Sequence, residues 1–422
     1  MLKKILFSVI LLCAFTRAYP QSGASLGMQG MTAISRGVDA VYWNPANLAR
    51  QEAGDKKFQL VLYSLNLGLG NNSFSYSAIE DYIGDGESIY LTESDKDDIL
   101  GLIDDDGLIF DFTANASVFS WAYKNFGFAI ETRSFGEMSI PKDIYKNILV
   151  EFGNNKYDYS IKGNGFIVGK YKISYGQTLI TDILVEPFLL GDIILDEINF
   201  GASLSYLQGY GYAGIKDGTA TLDISQNGIL PIVDVSARTA NKGRGLGLDM
   251  GLGFKTRDDY YFGAVVENLF ARIKWYDKTE MSSASVDFGS QPLFIAGDGQ
   301  LADIDIDSVS TDTTVSIGDF STSLPINFRF ALAKDINKFT FNLEMGRENS
   351  YYGTTLGCKY DLGALNLFAS ISKRYESIIW SGAMAINFSN LLYIDFGVSS
   401  RSGMSLASTR GLFYGTSMKI MF

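Results

Sequence analysis

Large apolar residues alternate with small or polar ones in many stretches of about 8–12 residues, and this period of two constrains the fold more than any other feature. In Arg244–Lys255, every second residue from Leu246 to Phe254 is large and apolar, whereas Asp249 and glycines occupy the positions between. Successive side chains of a β-strand point to opposite faces, so the pattern predicts sheet. We expect Leu248 and Leu252 to face lipid. Asp249 and Gly251 are expected to face inward and to tolerate small polar replacements.

The same alternation, interrupted by turn residues, predicts about 14 strands along the chain. They lie near residues 58–69, 116–123, 126–135, 165–176, 198–208, 245–256, 260–269, 325–333, 338–346, 351–360, 364–372, 382–389, 391–399 and 411–422.

Two fold classes produce such strands, a soluble β-sandwich and a membrane β-barrel. Strand length favours the barrel, because a tilted membrane strand needs about 9–11 residues. Tyr, Phe and Trp near the strand ends suit the aromatic girdles of a barrel. We therefore predict an all-β fold, a transmembrane antiparallel β-barrel, with the sandwich as the alternative.

The connections between these strands alternate between tight and long, as in bacterial barrels, where the short turns are periplasmic. The tight connections are 124–125, 257–259, 335–337, 361–363 and 390, and the long ones are 70–115, 136–164, 209–244, 270–324 and 400–410. One connection breaks the rule, because 177–197 falls on the short-turn side yet is long and apolar. It is either a buried helix or a pair of strand extensions with a bulge.

The first 21 residues have the layout of a cleavable secretory signal. Basic Lys3 and Lys4 precede the apolar run Ile5–Phe15, which is too short to span a bilayer. Cleavage is expected near Gln21, with Ala18 as the alternative site. The sequence therefore predicts an exported protein with a signal peptide at residues 1–21.

Composition excludes several classes of function. Removal of the signal takes the net charge from −12 to −15, because it carries three basic residues and no acid, and this argues against a nucleic-acid partner. The chain has no histidine, which removes histidine-dependent catalysis, and only Cys358 remains beyond the signal. Asp303-x-Asp305-x-Asp307 lacks the glycine and glutamate of a calcium loop. We predict no enzyme activity, no cofactor and no metal site.

A segment rich in small residues precedes the first strand. It runs from Ser25-Leu26-Gly27-Met28-Gln29-Gly30 to Ala40-Val41-Tyr42-Trp43-Asn44-Pro45-Ala46. It resembles the N-terminal signature of the FadL-type family of outer-membrane transporters for hydrophobic compounds, and equally that of the PorV-like barrels of type IX secretion. The resemblance implies a plug, or hatch, of residues 22–57 inside a barrel of residues 58–422 with long extracellular loops.

The resemblance also implies a location and a function. The protein is expected in the cell outer membrane, among its lipids, and passive uptake of a hydrophobic small molecule (fatty-acid-like or aromatic) is the expected function. The alternative is a barrel that binds a secreted protein, and a purely structural role stays open.

Candidate functional residues fall into three sets. Trp43, Asn44, Pro45 and Ala46 either contact ligand and gate the plug or form a turn that anchors it. Candidate ligand contacts in the long loops are Tyr210, Tyr212, Trp275 and Tyr276. Phe422 either signals to the barrel-assembly machinery or is simply the last girdle aromatic.

Overall fold

A computed structural model describes residues 22–50, 57–83, 92–149, 155–185, 193–225, 228–287, 310–348, 351–374, 377–389 and 391–422. The expected signal peptide and the Asp303–Asp307 motif lie outside these ranges.

The described residues form strands along most of their length. These are β1 (Phe58–Asn71), β2 (Leu108–Tyr123), β3 (Phe126–Ile140), β4 (Asn155–Ser160), β5 (Lys162–Val185), β6 (Ile193–Ser225), β7 (Gly228–Ala240), β8 (Lys242–Thr256), β9 (Tyr260–Asp277), β10 (Glu280–Asp287), β11 (Ser310–Ser316), β12 (Phe320–Ser323), β13 (Asn327–Ile336), β14 (Phe339–Glu348), β15 (Tyr351–Asp361), β16 (Leu365–Arg374), β17 (Ser377–Phe388), β18 (Leu392–Arg401) and β19 (Gly411–Met421).

Fourteen of these strands close into one antiparallel barrel. Its order is β1, β2, β3, β5, β6, β8, β9, β13, β14, β15, β16, β17, β18 and β19. The last strand returns to the first, with Leu60 opposite Ile420 and Leu69 opposite Leu412. All 14 predicted strands correspond to these barrel strands, and the closed single sheet rules out the sandwich alternative.

The two faces of the wall differ as predicted. On the outward face, large apolar side chains are exposed, such as Leu204, Leu246 and Phe330 at 57–60%. On the inward face, polar side chains such as Ser203 and Asp249 are buried. An exposed apolar band that surrounds a closed barrel fits hydrocarbon rather than water.

Aromatic pairs gather at the end of the barrel that carries the tight turns, which we call the tight-turn end. Phe339 stacks on Tyr360 with ring centroids 4.5 Å apart, and Phe126 lies 4.8 Å from Tyr175. Such rings suit a membrane interface, as the sequence analysis expected.

The opposite end, which we call the long-loop end, is more regular than expected. β6 and β7 occupy much of 209–244, and β9 to β12 occupy much of 270–324, where long loops were predicted. The prediction was wrong there because the barrel strands continue past the apolar band. There β6 pairs with β4 and β7, and β10 in turn pairs with β7 and β11, through Ser- and Thr-rich segments with little apolar alternation.

The exceptional connection 177–197 consists of strand extensions wherever it is described. β5 continues to Val185 and β6 starts at Ile193, and the register between them shifts between Thr178 and Ile180. Of the two alternatives, the paired extension with a bulge is therefore correct for these residues.

β9 changes partner as it leaves the barrel. Tyr260–Glu267 pair with β13, whereas Arg272–Trp275 pair with β12. Asn268 and Phe270, between these stretches, have φ of 62° and 55°. Beyond this break, β12 pairs with the last part of β9, and its first residue, Phe320, lies directly opposite Trp275.

The described helices are short. They are α1 (Gly23–Met28), α2 (Val38–Trp43), a 3₁₀ helix (Pro45–Leu48), α3 (Tyr76–Ile83), α4 (Glu93–Leu102) and α5 (Lys142–Leu149). No helix in the described ranges is long and apolar enough to cross a membrane.

The first long connection, 70–115, contains the acidic helix α4. Thr92 caps its N-terminus, and hydrogen bonds from Thr92 hold the pKa of Asp95 below its ordinary value. Ile99 packs with Ile103 and Leu108 at the long-loop end.

Replacement of Leu252 by Arg tests the assignment of the lipid-facing surface. We expect Leu252→Arg to reduce the free energy of unfolding by about 2–4 kcal/mol if it lies near the membrane midplane. Urea titration of the protein folded into lipid vesicles measures this loss. The control is Leu362→Arg, an exposed apolar residue in the tight turn 361–363, which should cost little. Equal losses at both positions would contradict the assigned band.

Candidate functional site

Residues 22–50, the N-terminal segment, lie against the inward face of the barrel. A side chain at Gly23 would collide with the backbone of Phe396 and Gly397, and one at Gly27 with Ala383. α1 therefore approaches β17 and β18 at backbone distance. Small residues on both surfaces make that approach possible.

A buried carboxylate receives the start of this segment. The Gly23 N–H donates to Asp395 Oδ1 at 2.7 Å, and the Ser417 hydroxyl donates to Oδ2 at 2.8 Å. Ser22 and Ser25 cap α1 reciprocally. The first turn is thereby joined to β18 and β19 through side chains.

The predicted motif Trp43-Asn44-Pro45-Ala46 is buried at the centre of the segment. Asn44 Nδ2 donates to the carbonyl oxygens of Thr32 at 3.1 Å and of Leu252 at 2.9 Å. Its Oδ1 accepts from the Ala46 N–H at 3.1 Å and so closes a turn ahead of the 3₁₀ helix. The Asn44 amide thus binds both its own segment and the wall. This geometry suits the anchoring alternative, and ligand contact at the motif stays a prediction.

Inward glycines of three strands make room for the motif. A Cβ at Gly201 would collide with Pro45 and Ala46, one at Gly176 with the Pro45 carbonyl, and one at Gly251 with Asn44. The inward position of Gly251 agrees with the prediction from its strand. The expected tolerance of Gly251 to a small polar side chain does not agree with the structure, because Asn44 already fills the space on the inward side of the strand.

Charged side chains of the inward face form a second feature, the luminal charge network. It comprises Glu131, Arg133, Lys170, Lys172, Asp249, Glu267, Arg329, Glu344, Glu348 and Arg374. Lys172 Nζ lies 3.0 Å from Asp249, and Arg329 lies 2.9 Å from Glu267. The five cations and five carboxylates balance, which lets ionised groups remain deep in the barrel.

This network also holds the N-terminal segment. Arg329 lies 4.9 Å from the centre of the Trp43 ring and donates to the Trp43 carbonyl at 3.3 Å. Glu344 accepts from the Thr32 N–H at 3.0 Å. Outside the network, Lys419 forms an ion pair with Asp39 at 2.6 Å. The segment is therefore attached to the wall mainly by side chains, with no shared β-pairing in the described residues.

The four predicted aromatic contacts do not form one site. Tyr210 and Tyr276 are exposed, and Tyr210 shares a hydrogen bond with Tyr171. Trp275 is fully buried, and its ring centre lies 5.5 Å from that of Tyr212. A bulge beside Tyr210 turns it and Tyr212 to different faces of β6.

Phe422 is exposed at the tight-turn end. Its N–H donates to the Phe58 carbonyl at 2.8 Å, and the two rings lie 6.0 Å apart. It thus lies at the junction where β1 and β19 close the barrel. Its role in assembly stays a prediction.

The sequence analysis missed two parts of this site. The inward glycines were recognised as the small face of a strand but were given no partner. In the sequence, the acids and bases of the luminal charge network alternate with outward apolar residues; Lys170 and Lys172, for example, precede the outward Ile173. This alternation could have identified the charged residues as inward-facing. Their pairing could not be read from the sequence, since it joins strands that are far apart along the chain.

A side chain added at Gly251 should loosen the N-terminal segment. Gly251→Ala pushes against Asn44, so we expect faster proteolysis of residues 22–50 in the folded barrel. Gly211→Ala is the control, because a Cβ at Gly211 meets nothing within 4 Å. Limited proteolysis followed by mass spectrometry measures the rates. Equal rates for both variants would show that Gly251 does not support the segment.

Comparison with known proteins gives two kinds of match. Residues 45–241 match a family of unknown function, DUF5723, and no curated protein matches the chain significantly. Among solved structures, the chain is similar to the CymD monoaromatic hydrocarbon channel, with a TM-score of 0.51 and 10% identity over 96% of this chain and 99% of that one.

Two further solved structures are similar to the chain to the same degree. A Pseudomonas aeruginosa FadL homologue gives a TM-score of 0.51 at 11% identity over 97% of this chain and 100% of that one. The Ralstonia pickettii toluene transporter TbuX gives a TM-score of 0.51 at 12% identity over 95% of this chain and 98% of that one. These identities establish likeness of fold, and the resemblance expected from the N-terminal motif is confirmed at that level. The chain has the fold of the FadL-type channels.

Proposed function

We propose that this protein lets hydrophobic small molecules pass across the outer membrane, with the N-terminal segment as its plug. The observation that carries the proposal is a closed 14-strand barrel whose lumen holds this segment through side-chain contacts. The CymD and TbuX structures, which share the fold, are a hydrocarbon channel and a toluene transporter. Fold likeness alone does not fix function, so the proposal needs a direct test.

The attachment of the segment supports a movable plug. Asn44, Asp39 and Asp395 hold it through separate hydrogen bonds and one ion pair. Such contacts contribute about 0.5–3 kcal/mol each. They can therefore break and form again while the strand pairing of the barrel wall stays intact. Passage follows if a rearrangement of the segment opens the lumen, and no energy source is required for flow down a gradient.

The alternative of a barrel that binds a secreted protein draws no support from the solved structures named above. The proposed cargo is therefore a small molecule.

The proposed orientation places the long-loop end outside the cell. Thr313→Cys, in exposed β11, should react in intact cells with a thiol reagent that cannot cross the outer membrane. Leu362→Cys, in a tight turn, should react only after the membrane is disrupted. Both variants carry Cys358→Ser. The reverse labelling pattern would invert the orientation.

A disulfide between the plug and the wall tests the function. The Cβ position at Gly253 lies 3.8 Å from the Ala46 Cβ, close to the mean of about 3.8 Å in disulfides. We expect Ala46→Cys/Gly253→Cys, with Cys358→Ser, to stop uptake of radiolabelled toluene and oleate when oxidised and to regain it on reduction. The host should lack a channel of its own for these compounds.

Each single cysteine variant is the control and should be insensitive to oxidation. Unchanged uptake by the oxidised double variant would show that the segment does not gate passage. Equal uptake by cells with and without the unmodified barrel would contradict the proposed function itself.

A further inference from the structure

An apolar groove of about 870 Å³ crosses the outward face of the wall between β13 and β19, and we call it the wall groove. Its floor is formed by Cys358, Ala369 and Gly382, which are direct partners on neighbouring strands. Ligand pockets typically have volumes of about 300–1,000 Å³. The wall groove is therefore large enough to hold a molecule. Larger side chains border its floor on the long-loop side, namely Leu356, Ile371 and Trp380.

The wall groove belongs to the lipid-facing band of the barrel. Leu332, Phe341 and Leu412 line it and are all exposed on the outward face. Hydrocarbon rather than water surrounds this band, so the molecule that fills the groove comes from the membrane. A lipid acyl chain has the apolar surface that the lining requires.

The outward face is basic where this region reaches the long-loop end. Arg347 continues the outward series of Met345 on β14, and Lys373 continues that of Ile371 on β16, because alternate residues of a strand share a face. In the parts of β13 to β16 that the structure describes, no acid occupies an outward position. Positive charge without nearby acid favours an anionic lipid headgroup.

Arg347 has donors available for such a headgroup. It lies between Phe328 and Tyr352 in the strand register, and the rings of these two residues are 6.1 Å apart. Among the described residues Arg347 has no ion-pair partner, and its Nε is buried without a hydrogen bond. A planar guanidinium binds two oxygens of a phosphate through parallel hydrogen bonds.

The depth of Arg347 agrees with a headgroup position. From Phe339, in the aromatic group at the tight-turn end, β14 runs about 27 Å to Arg347. With a tilt of about 40° this is roughly 20 Å along the membrane normal, close to the apolar band of about 25 Å. Tyr352, beside Arg347, is 69% exposed, as suits an aromatic residue of the second interface.

We propose that the wall groove and Arg347 together bind a phosphate-bearing lipid of the outer membrane. Arg347 binds the phosphate, and Lys373 adds positive charge beside it. The acyl chain passes Met345 and lies over the floor at Ala369 and Gly382. The proposal does not depend on passage through the lumen, since the groove lies on the opposite face of the wall.

The test compares two lipids that differ only in the phosphate, dioleoyl phosphatidic acid and dioleoylglycerol. Native mass spectrometry of the delipidated full-length protein in a neutral detergent measures the dissociation constant of each. We expect Arg347→Gln to weaken binding of phosphatidic acid about tenfold or more, since a charge-assisted bidentate pair is lost. Binding of dioleoylglycerol should change less than about twofold, because the apolar contacts remain.

Arg244→Gln is the matched control for charge. Arg244 also faces outward at the long-loop end, where it lies 5.7 Å from the Tyr276 ring, but it is far from the wall groove along the sheet. This variant should leave both affinities unchanged. An equal loss of phosphatidic acid binding in both arginine variants, or no loss in Arg347→Gln, would overturn the proposal.

Gly382→Leu tests the acyl-chain part of the site. A Cβ at Gly382 meets only the Phe368 carbonyl oxygen, at 3.9 Å, so the wall accepts a side chain that fills the groove floor. We expect binding of both lipids to weaken about tenfold, because the leucine displaces about two methylene groups of the chain. Gly211→Leu, at a glycine with open space outside the groove, should have no effect.

Unchanged binding of both lipids by Gly382→Leu would show that the chain does not occupy the groove and would overturn the proposal. A second copy of the chain is the other possible occupant of an apolar wall surface. A dimer of the delipidated protein that Gly382→Leu dissociates, and that lipid does not displace, would assign the groove to that contact and overturn the lipid site.

Discussion

Closure of the sheet is the constraint on which the rest of the structure depends. The pairing of β1 with β19 leaves no barrel strand with an open edge in the membrane, where unpaired N–H and C=O groups would have no partner. Closure fixes which face of each strand is inside. Every strand must then place apolar side chains outside and leave the lumen to small and polar ones.

The lumen that closure creates is filled in two ways. Glycines at Gly176, Gly201 and Gly251 let the Asn-Pro-Ala turn lie against the wall, so the N-terminal segment packs at backbone distance. Elsewhere, charged side chains reach across the remaining space and neutralise one another. Buried pairs of this kind add little net stability but are costly to break singly, so they favour one arrangement of the segment.

Arg238 stands outside this balance. The paired arginines lie among carboxylates on neighbouring strands, whereas Arg238 lies at the long-loop end among aromatic rings.

The sequence by itself determined the strands, because a period of two is a local property and burial on one face imposes it. The 14 barrel strands, the lipid-facing side of Leu252 and the resemblance of the Asn44-Pro45-Ala46 segment were all visible in the linear chain. The expectation of loops at 209–244 and 270–324 failed, since pairing beyond the membrane needs no apolar alternation.

Only the tertiary structure decided which inward residues meet. The contact of Gly251 with Asn44 spans about half the chain, and that of Arg329 with Trp43 spans about two thirds of it. The tertiary structure also decided which aromatic residues meet. A bulge beside Tyr210 and the break in β9 at Asn268 determine on which face of its strand each ring lies. Such contacts depend on strand order, register and bulges, which the hydrophobic pattern of a single strand does not encode.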